Sequence, residues 1–173
     1  MVITYVNEYT KLDMKQPVQE KKIWEILETV TDPEIPVLSI IDMGIVRAVQ
    51  LNNDGELTIT ITPTYSGCPA MDAISMDIRL KLIEQGYRHV KILSVLSPAW
   101  TTDWMSEAGK EKLKAYGIAP PVNRAEDAAR PDIECPQCHS HHTSLLSQFG
   151  STACKALYQC NECKEPFDYF KCH

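Results

Sequence analysis

Residues 135–163 read CPQCHSHHTSLLSQFGSTACKALYQCNEC and contain two Cys-x-x-Cys pairs, CPQC at 135–138 and CNEC at 160–163. Two thiolates at that spacing can face one ion, and a second pair completes a tetrahedral set of ligands. Sulfur ligands favour zinc or an iron–sulfur centre over a hard cation. We therefore predict a zinc-ribbon-like module over 135–173, with its metal held by Cys135, Cys138, Cys160 and Cys163.

The alternative for a cysteine-rich segment is a disulfide framework, which is typical of secreted proteins. The first residues, MVITYVNEYTKLDMKQP, have neither the basic start nor the long apolar stretch of a signal peptide. The longest apolar runs, such as IPVLSII at 35–41, are too short to cross a bilayer. The sequence therefore predicts a cytoplasmic protein with reduced cysteines and no membrane partner.

Cys154 and Cys172 lie within the same segment but outside both pairs. They could be packed free thiols, a second and labile site for iron, or thiols that exchange with the paired ones. A further departure concerns the residue after each pair, where ribbons often carry glycine because the chain needs a positive φ. Here His139 and Lys164 stand there, so either the turns are strained or His139 replaces a ligand.

The preceding chain predicts a small α+β domain. Residues 18–30 have the apolar spacing of a helix, 44–51 and 57–62 read as strands, and NNDG at 52–55 predicts the turn of an antiparallel hairpin. A helix from Pro69 to Gly86 and a mostly buried strand at 89–96 follow. The order helix, strand, strand, helix, strand places the helices on one face of the sheet.

The segment after this core predicts a third helix and then a linker. Thr102 or Asp103 is suited to cap a polar helix that ends at Gly117. Trp100 and Trp104, at the start of this helix, could contact a partner or pack the helix onto the sheet. Residues 118–134 are rich in proline and charge, so we predict domains at 1–117 and 135–173 joined by a linker at 118–134.

Cys68 is the cysteine that lies outside the carboxyl-terminal segment, and the pattern places it at the N-cap of the second helix. The positive end of a helix favours thiolate, which could attack an electrophile or bind a soft metal. The alternative is a buried structural cysteine. No histidine is positioned in the sequence as an obvious base for Cys68, which argues against a cysteine hydrolase.

Asp32 and Glu34 flank Pro33 in the loop after the first helix. Carboxylates in a stiff loop could supply hard metal ligands or contact a partner. The alternative is an Asp-Pro turn that ends the helix.

The charge of the chain limits its partners. The 173 residues carry a net charge of −6 with a pI of about 5.3. Many zinc ribbons bind nucleic acid, but phosphate binding needs a basic surface. The acidic balance therefore makes nucleic acid an unfavourable partner.

Three stretches carry a resemblance to known proteins: TDPEIPVLSIIDMGIV at 31–46, TPTYSGCPAMDAI at 62–74 and FGSTACKALYQCNECKEPFDYFKCH at 149–173. The first two resemble the iron–sulfur assembly domain shared by SufT and eukaryotic cytosolic cluster-targeting proteins. With the third, nearly the whole chain resembles the PaaD family of the bacterial phenylacetyl-CoA ring-1,2-epoxidase system.

This resemblance implies an accessory subunit of aerobic phenylacetate catabolism, without catalytic activity of its own, that assists iron or iron–sulfur maturation. Its partners would be the di-iron oxygenase, the iron–sulfur flavin reductase or both, and a second protomer could complete its site. Cys68 matches the family's Gly-Cys-Pro motif, and Asp32 and Glu34 match Asp-Pro-Glu. The implied metals are a structural zinc and a transient iron or cluster. The alternative is a stoichiometric structural subunit without a metal-transfer role.

Overall fold

A computed structural model describes residues 16–122 and 132–171. It is a mixed α+β structure with two sheets, in the strand orders β1-β2-β3 and β4-β7-β6-β5. The elements are α1 (Gln16–Glu28), β1 (Val46–Leu51), β2 (Leu57–Ile61), α2 (Ala70–Glu84), β3 (Val90–Ser94), a 3-10 turn (Thr102–Trp104), α3 (Glu107–Tyr116), β4 (Ile118–Ala119), β5 (Thr143–Ser147), β6 (Lys155–Cys160) and β7 (Pro166–Phe170). The predicted fold class is confirmed.

The first sheet is built on the predicted hairpin. Strands β1 and β2 pair antiparallel up to Leu51 and Leu57, and Gly55 adopts a φ of 83° in the turn between them. Period-two alternation in β2 places Leu57, Ile59 and Ile61 in the core, each no more than 1% exposed. The alternation of Leu and Ile with Thr therefore produces one buried face.

Strand β3 pairs parallel to β2 and forms the edge of this sheet. Val90 and Ile92 are half-buried, whereas Lys91, Leu93 and Ser94 are exposed. The prediction of a mostly buried strand was therefore wrong. An edge strand has a neighbour on one side, and the apolar residues of β3 are divided between its two faces.

Helices α1 and α2 complete the same core with their apolar stripes. Ile74, Ile78 and Leu82 of α2 and Ile23 and Leu27 of α1 are each at most 1% exposed and belong to one cluster with the strand residues. These residues recur at a spacing of four, which places them on one face of each helix.

The end of α2 follows the predicted signal, whereas its start lies one residue later than predicted. At its end, Gly86 has a φ of 93° and Tyr87 N–H donates to the Leu82 carbonyl at 3.0 Å, which is a Schellman closure. At its start, Pro69 takes the capping position with helical dihedrals, and the helix begins at Ala70. The prediction that Cys68 is the N-cap was therefore wrong, because Cys68 lies one residue before the cap.

The loop between α1 and β1 is fixed to α3 through Asp42. Its carboxylate accepts hydrogen bonds from Ser39 Oγ at 3.0 Å, Ser106 Oγ at 2.8 Å and Lys112 Nζ at 2.6 Å. Burial raises the pKa of Asp42, but these hydrogen bonds outweigh it and hold the pKa below its usual value. Asp42 is thus a structural carboxylate that joins distant segments.

Helix α3 starts later than predicted. Thr102–Trp104 form a 3-10 turn, and Ser106 is the cap of α3, where its Oγ accepts from Gly109 N–H at 2.9 Å. The predicted end at Gly117 is confirmed, with a φ of 92°. The predicted caps, Thr102 and Asp103, have side chains that suit a helix cap, but both lie in the 3-10 turn that precedes α3.

The second sheet is a three-stranded antiparallel ribbon with one short added strand. Strand β6 pairs with β5 and β7, and β4 pairs parallel to β7, with Ile118 opposite Asp168. Ile118 and Ala119 belong to the range that the sequence predicted as a linker, and residues 123–131 of that range lie outside the described residues. The ribbon sheet thus draws its edge strand from chain that precedes the first cysteine pair.

The ribbon sheet has an apolar cluster of its own, but part of it also packs into the core of the first sheet. Trp100 packs edge-to-face on Phe170 of β7, with ring centroids 6.2 Å apart, and its Nε1 donates to the Met43 carbonyl at 2.8 Å. Phe170 and Cys154 belong to the same apolar cluster as the first sheet. Trp100 therefore packs the two domains together. Trp104 has a different contact, since the Arg47 guanidinium carbon lies 3.5 Å from the centroid of its ring.

Among the described stretches, the three α-helices are all too short or too polar to serve as a bilayer span.

Candidate functional site

The four paired cysteines of the ribbon converge on one point. Their sulfur atoms all lie within 4.8 Å of one another, and Cys135–Cys163 and Cys138–Cys160 are 3.8 and 3.5 Å apart. All four are free thiols. Sulfurs at about 2.3 Å from a zinc ion in a tetrahedron stand ~3.8 Å apart. The arrangement of the four sulfurs therefore suits a four-coordinate ion.

The two cysteine pairs lie on turns with the same hydrogen bonds. His139 N–H donates to the Cys135 carbonyl at 3.0 Å, and Lys164 N–H donates to the Cys160 carbonyl at 3.1 Å. His139 and Lys164 have φ values of 62° and 66°. These are the positions where the sequence lacks the usual glycine, so both turns hold a strained left-handed residue.

The His139 ring turns away from the sulfur cluster. Its Nδ1 lies 2.6 Å from Glu134 Oε1, and the side chain is exposed. Glu134 also pairs with Lys114 of α3 at 3.0 Å. Hydrogen bonds from Lys114 and His139 lower the pKa of Glu134. His139 thus contributes to a salt-bridged network between the ribbon and α3, while the sulfurs form the ligand group.

The electrostatics of the sulfur cluster explain why it suits a cation. Burial raises the pKa of Cys160, but backbone N–H groups of Cys163 and Glu162 and the neighbouring thiols lower it to about 6. The Glu165 N–H lowers the pKa of Cys163, but burial and hydrogen bonds with the other three thiols raise it to about 12. One proton therefore leaves readily and another is strongly retained. A divalent cation would replace these protons and neutralise the thiolates.

Replacing Lys164 with glycine should stabilise the metal-loaded protein by roughly 0.5–1 kcal/mol, because the left-handed strain is removed and only part is offset by the freer unfolded chain. Thermal unfolding measures the change. Lys164→Ala is the matched control, since it also removes the Nζ contact with the Asn161 carbonyl but keeps a Cβ. Equal melting temperatures for the two variants would contradict strain at this position.

Cys68 lies half-buried on the loop that enters α2. Its N–H donates to the Tyr65 carbonyl at 3.3 Å, and its carbonyl accepts from Met71 N–H at 3.2 Å. Gly67 has a φ of 84°, and apart from its chain neighbours no described heavy atom lies within 4 Å of the place where its Cβ would stand. The residue before Cys68 therefore faces open space.

Asp32 and Glu34 have different surroundings. Asp32 is 6% exposed, and its Oδ1 accepts from the backbone N–H groups of Glu34 and Ile35, both at 2.8 Å. This is the turn chemistry that the sequence offered as the alternative to a ligand role. Glu34 is exposed, and its Oε2 lies 4.0 Å from Cys154 Sγ.

Cys154 comes from the ribbon and lies against the first domain. It is 8% exposed, and Thr152 Oγ1 is 3.1 Å from its sulfur. Burial, together with the charges of Glu34 and Asp32, raises its pKa despite the Thr152 hydrogen bond. Cys154 is therefore a packed neutral thiol in this arrangement. Cys172 and His173 lie outside the described residues.

Tyr65 is a residue that sequence reasoning missed. Burial, followed by the charge of Cys68 and a side-chain hydrogen bond with it, raises the pKa of Tyr65, and Cys154 and Glu34 act in the same direction. Tyr65 is thus hydrogen-bonded to Cys68 and lies within electrostatic range of Cys154 and Glu34. The position of Tyr65 three residues before Cys68 in TPTYSGC is a local signal that could have indicated their contact. The sequence contains no comparable signal for the influence of Cys154.

Comparison with known proteins divides the chain at the same place as the two sheets. A family model described as an iron–sulfur cluster assembly protein matches residues 20–91, and one described as the PaaD zinc beta ribbon domain matches residues 119–171. The first range contains Cys68, and the second contains both Cys-x-x-Cys pairs and Cys154.

Curated relatives match the whole chain or its first domain. A protein of Escherichia coli K12, named as a putative 1,2-phenylacetyl-CoA epoxidase subunit, is 50% identical over 157 residues, covering 90% of this chain and 94% of the relative. An "Fe-S protein maturation auxiliary factor" of Porphyromonas gingivalis is 43% identical over 89 residues, covering 51% of this chain and 84% of the relative.

A solved structure gives the same result for the first domain. The crystal structure of a domain of unknown function from Bacillus anthracis superimposes with a TM-score of 0.55 at 30% identity, covering 58% of this chain and 96% of that one.

Proposed function

Because the chain belongs to the PaaD family, which joins an iron–sulfur cluster assembly domain to a zinc beta ribbon, we propose that it is an accessory subunit of a phenylacetyl-CoA epoxidase system that assists iron or iron–sulfur maturation of its partner subunits. The name of the E. coli relative supports the epoxidase system. The maturation factors similar to the first domain support the handling of iron or clusters.

The observation that carries the maturation role is the surrounding of Cys68. It is a half-buried thiol whose neighbour Gly67 faces open space, and it lies apart from the ribbon cluster that could hold a metal permanently. Stable iron–sulfur clusters generally take four protein ligands. A site with fewer ligands would release its cargo more easily, as a donor must.

The ribbon would have a different role. Cys135, Cys138, Cys160 and Cys163 have the spacing for one zinc ion, which would support folding and supply no redox chemistry. The partners that we propose are the di-iron oxygenase, the iron–sulfur flavin reductase or both, in the cytoplasm.

Replacing Cys68 with serine should leave the protein folded and lower the iron content of co-produced partner proteins by about tenfold or more, since loss of a metal-handling thiol weakens metal affinity at least that far. Iron per partner chain and epoxidase activity are the measurements. Ser66→Ala, an exposed change two residues away, is the control and should behave as the wild type. Normal iron loading with Cys68→Ser would refute the maturation role.

A second function follows from the name of the E. coli relative, which is that of a subunit. The chain could bind the oxygenase in a fixed ratio and handle no metal other than its own. A complex that co-purifies in constant proportion, with activity indifferent to Cys68→Ser, would support this function instead.

A further inference from the structure

A cavity of about 280 Å³ lies at one end of the first sheet. Its walls come from two loops, residues 63–66 after β2 and residues 96–100 after β3. Because β2 and β3 run parallel, both loops leave the sheet at the same edge. The carboxyl ends of parallel strands are the usual place for ligands in open α/β sheets. The position of the cavity therefore suits a binding site.

The cavity adjoins the turn that carries Cys68. Tyr65 lines the cavity, and its carbonyl accepts a hydrogen bond from Cys68 N–H at 3.3 Å. Tyr65 and Cys68 are thus the two ends of one turn, and Ser66 and Gly67 between them are exposed. An occupant of the cavity would therefore contact the turn that holds the thiol.

The walls of the cavity are uncharged. Carbon surface and three hydroxyl groups line it, from Pro63, Thr64, Tyr65, Ser66, Leu96, Ala99 and Trp100. Trp100 is fixed in position, because its Nε1 donates to the Met43 carbonyl at 2.8 Å and its ring lies edge-to-face on Phe170. A lining of this kind, among the described residues, favours a neutral and apolar occupant over an ion or a phosphate.

The volume of the cavity limits the size of the occupant. An apolar cavity of about 150 Å³ can hold a benzene ring. Cofactors and drug-sized ligands occupy pockets of roughly 300–1,000 Å³. At about 280 Å³ the cavity has room for one aromatic side chain and is small for a cofactor. The rings of Tyr65 and Trp100 in its walls favour a further ring through edge and face contacts.

The mouth of the cavity indicates that the occupant belongs to a polypeptide. Leu96 lines the cavity and is 60% exposed, and Ser66 and Ala99 beside the opening are exposed as well. A small free molecule would fill the cavity and leave Leu96 in water. A side chain that enters the cavity brings its own neighbours in sequence to cover Leu96. Protein interfaces combine a filled pocket with such a covered apolar rim.

We propose that this cavity docks one aromatic side chain of a partner polypeptide, whose flanking residues cover Leu96. Tyr65 and Trp100 would contact the ring, and the hydroxyl groups of Thr64 and Ser66 would bond the partner's main chain. The inference rests on the proposed function and deepens it, because it names how a client protein would be held beside Cys68.

The first test uses toluene, which has the ring and methyl carbon of a phenylalanine side chain. Toluene added to the full-length, zinc-loaded protein should shift the Trp100 indole N–H signal and the Thr64 and Ser66 amide signals in nitrogen-15 NMR spectra. These shifts should be absent in Ala99→Phe, because the new ring occupies the mouth. Leu93→Asp changes an exposed leucine of β3 outside the cavity and should respond as the wild type.

The second test measures binding to the purified di-iron oxygenase and to the purified iron–sulfur flavin reductase. Ala99→Phe and Leu96→Asp should each weaken binding to the client by about tenfold or more, the effect of losing a central interface contact. Leu93→Asp is the matched control, since it makes the same exchange at an exposed leucine three residues earlier. This control should bind as the wild type.

Three results would overturn the inference. The first is a wild type whose cavity signals do not respond to toluene. The second is toluene binding combined with unchanged partner affinity in folded Ala99→Phe and Leu96→Asp, which would make the cavity a site for small aromatic compounds only. The third is equal loss of binding in Leu93→Asp. If Ala99→Phe does not fold, Leu96→Asp decides, because its side chain is exposed.

The docking inference and the maturation role fail separately. Weakened partner binding in Leu96→Asp, together with normal partner iron in Cys68→Ser, retains the docking cavity and rejects the maturation role. Lowered partner iron in Cys68→Ser, with unchanged partner binding in Leu96→Asp, rejects the docking cavity and retains the role. A wild type that binds neither protein rejects both.

Discussion

Replacing Cys138 with alanine should release the ribbon metal and unfold the second domain. Structural zinc contributes roughly 10–16 kcal/mol of apparent binding free energy in small domains, and one missing thiolate opens a four-ligand site. Metal per chain after dialysis should fall to nearly zero, and amide exchange over β5, β6 and β7 should become fast. Cys138 is exposed, so its loss creates no cavity and the effect reports the metal.

The control for this experiment is Cys138→His. An imidazole can take the place of a thiolate on zinc, and the exposed position has room for it. This variant should retain metal and fold. A Cys138→Ala protein that still holds its metal through dialysis would show that the four sulfurs are not the ligand set.

Replacing Phe170 with alanine should destabilise both domains by about 3–5 kcal/mol, the usual range for removing a buried aromatic side chain. Phe170 is 0% exposed and lies edge-to-face against Trp100 across the domain boundary. Urea denaturation can be followed by tryptophan fluorescence for the first domain and by metal release for the ribbon. Both midpoints should fall together.

The matched control is Phe149→Ala, at a phenylalanine that is 63% exposed and has the Lys171 ammonium over its ring. Surface substitutions usually change stability by less than ~0.5 kcal/mol. If Phe170→Ala lowered the ribbon midpoint while leaving the fluorescence midpoint unchanged, the two domains would be energetically independent despite their contact.

The sequence predicted the turns and helix ends that depend on residues close together in the chain. The two Cys-x-x-Cys pairs define their own turns, Asp54-Gly55 closes the hairpin, and Gly86 ends α2. In each case a few consecutive residues carry both the geometry and the hydrogen bonds. The exposure of β3 could not be predicted in this way. Its apolar composition is typical of a buried strand, whereas its place at the edge depends on which strands pair in the sheet.

The contacts between the two domains could not be predicted from the sequence for a similar reason. Nothing in Ile118–Ala119 indicates that two residues will pair parallel to β7, since the partner strand is distant in the chain. The approach of Cys154 to Glu34 likewise joins residues that are far apart in the chain, and it requires the ribbon to pack against the first domain. Sequence reasoning identified both residues as candidates, and the tertiary structure placed them side by side.

The packing of Trp100 on Phe170 would couple the proposed ribbon zinc to the proposed iron-handling surface. An ion that binds only the folded ribbon stabilises every part of the molecule that unfolds with it. Because Phe170 lies in the same core as the strands of the first domain, the surface that carries Cys68 would share in that stabilisation. A shortage of zinc in the cell would then destabilise the surface that we propose for iron handling. The availability of zinc would thus limit the capacity of the protein to handle iron.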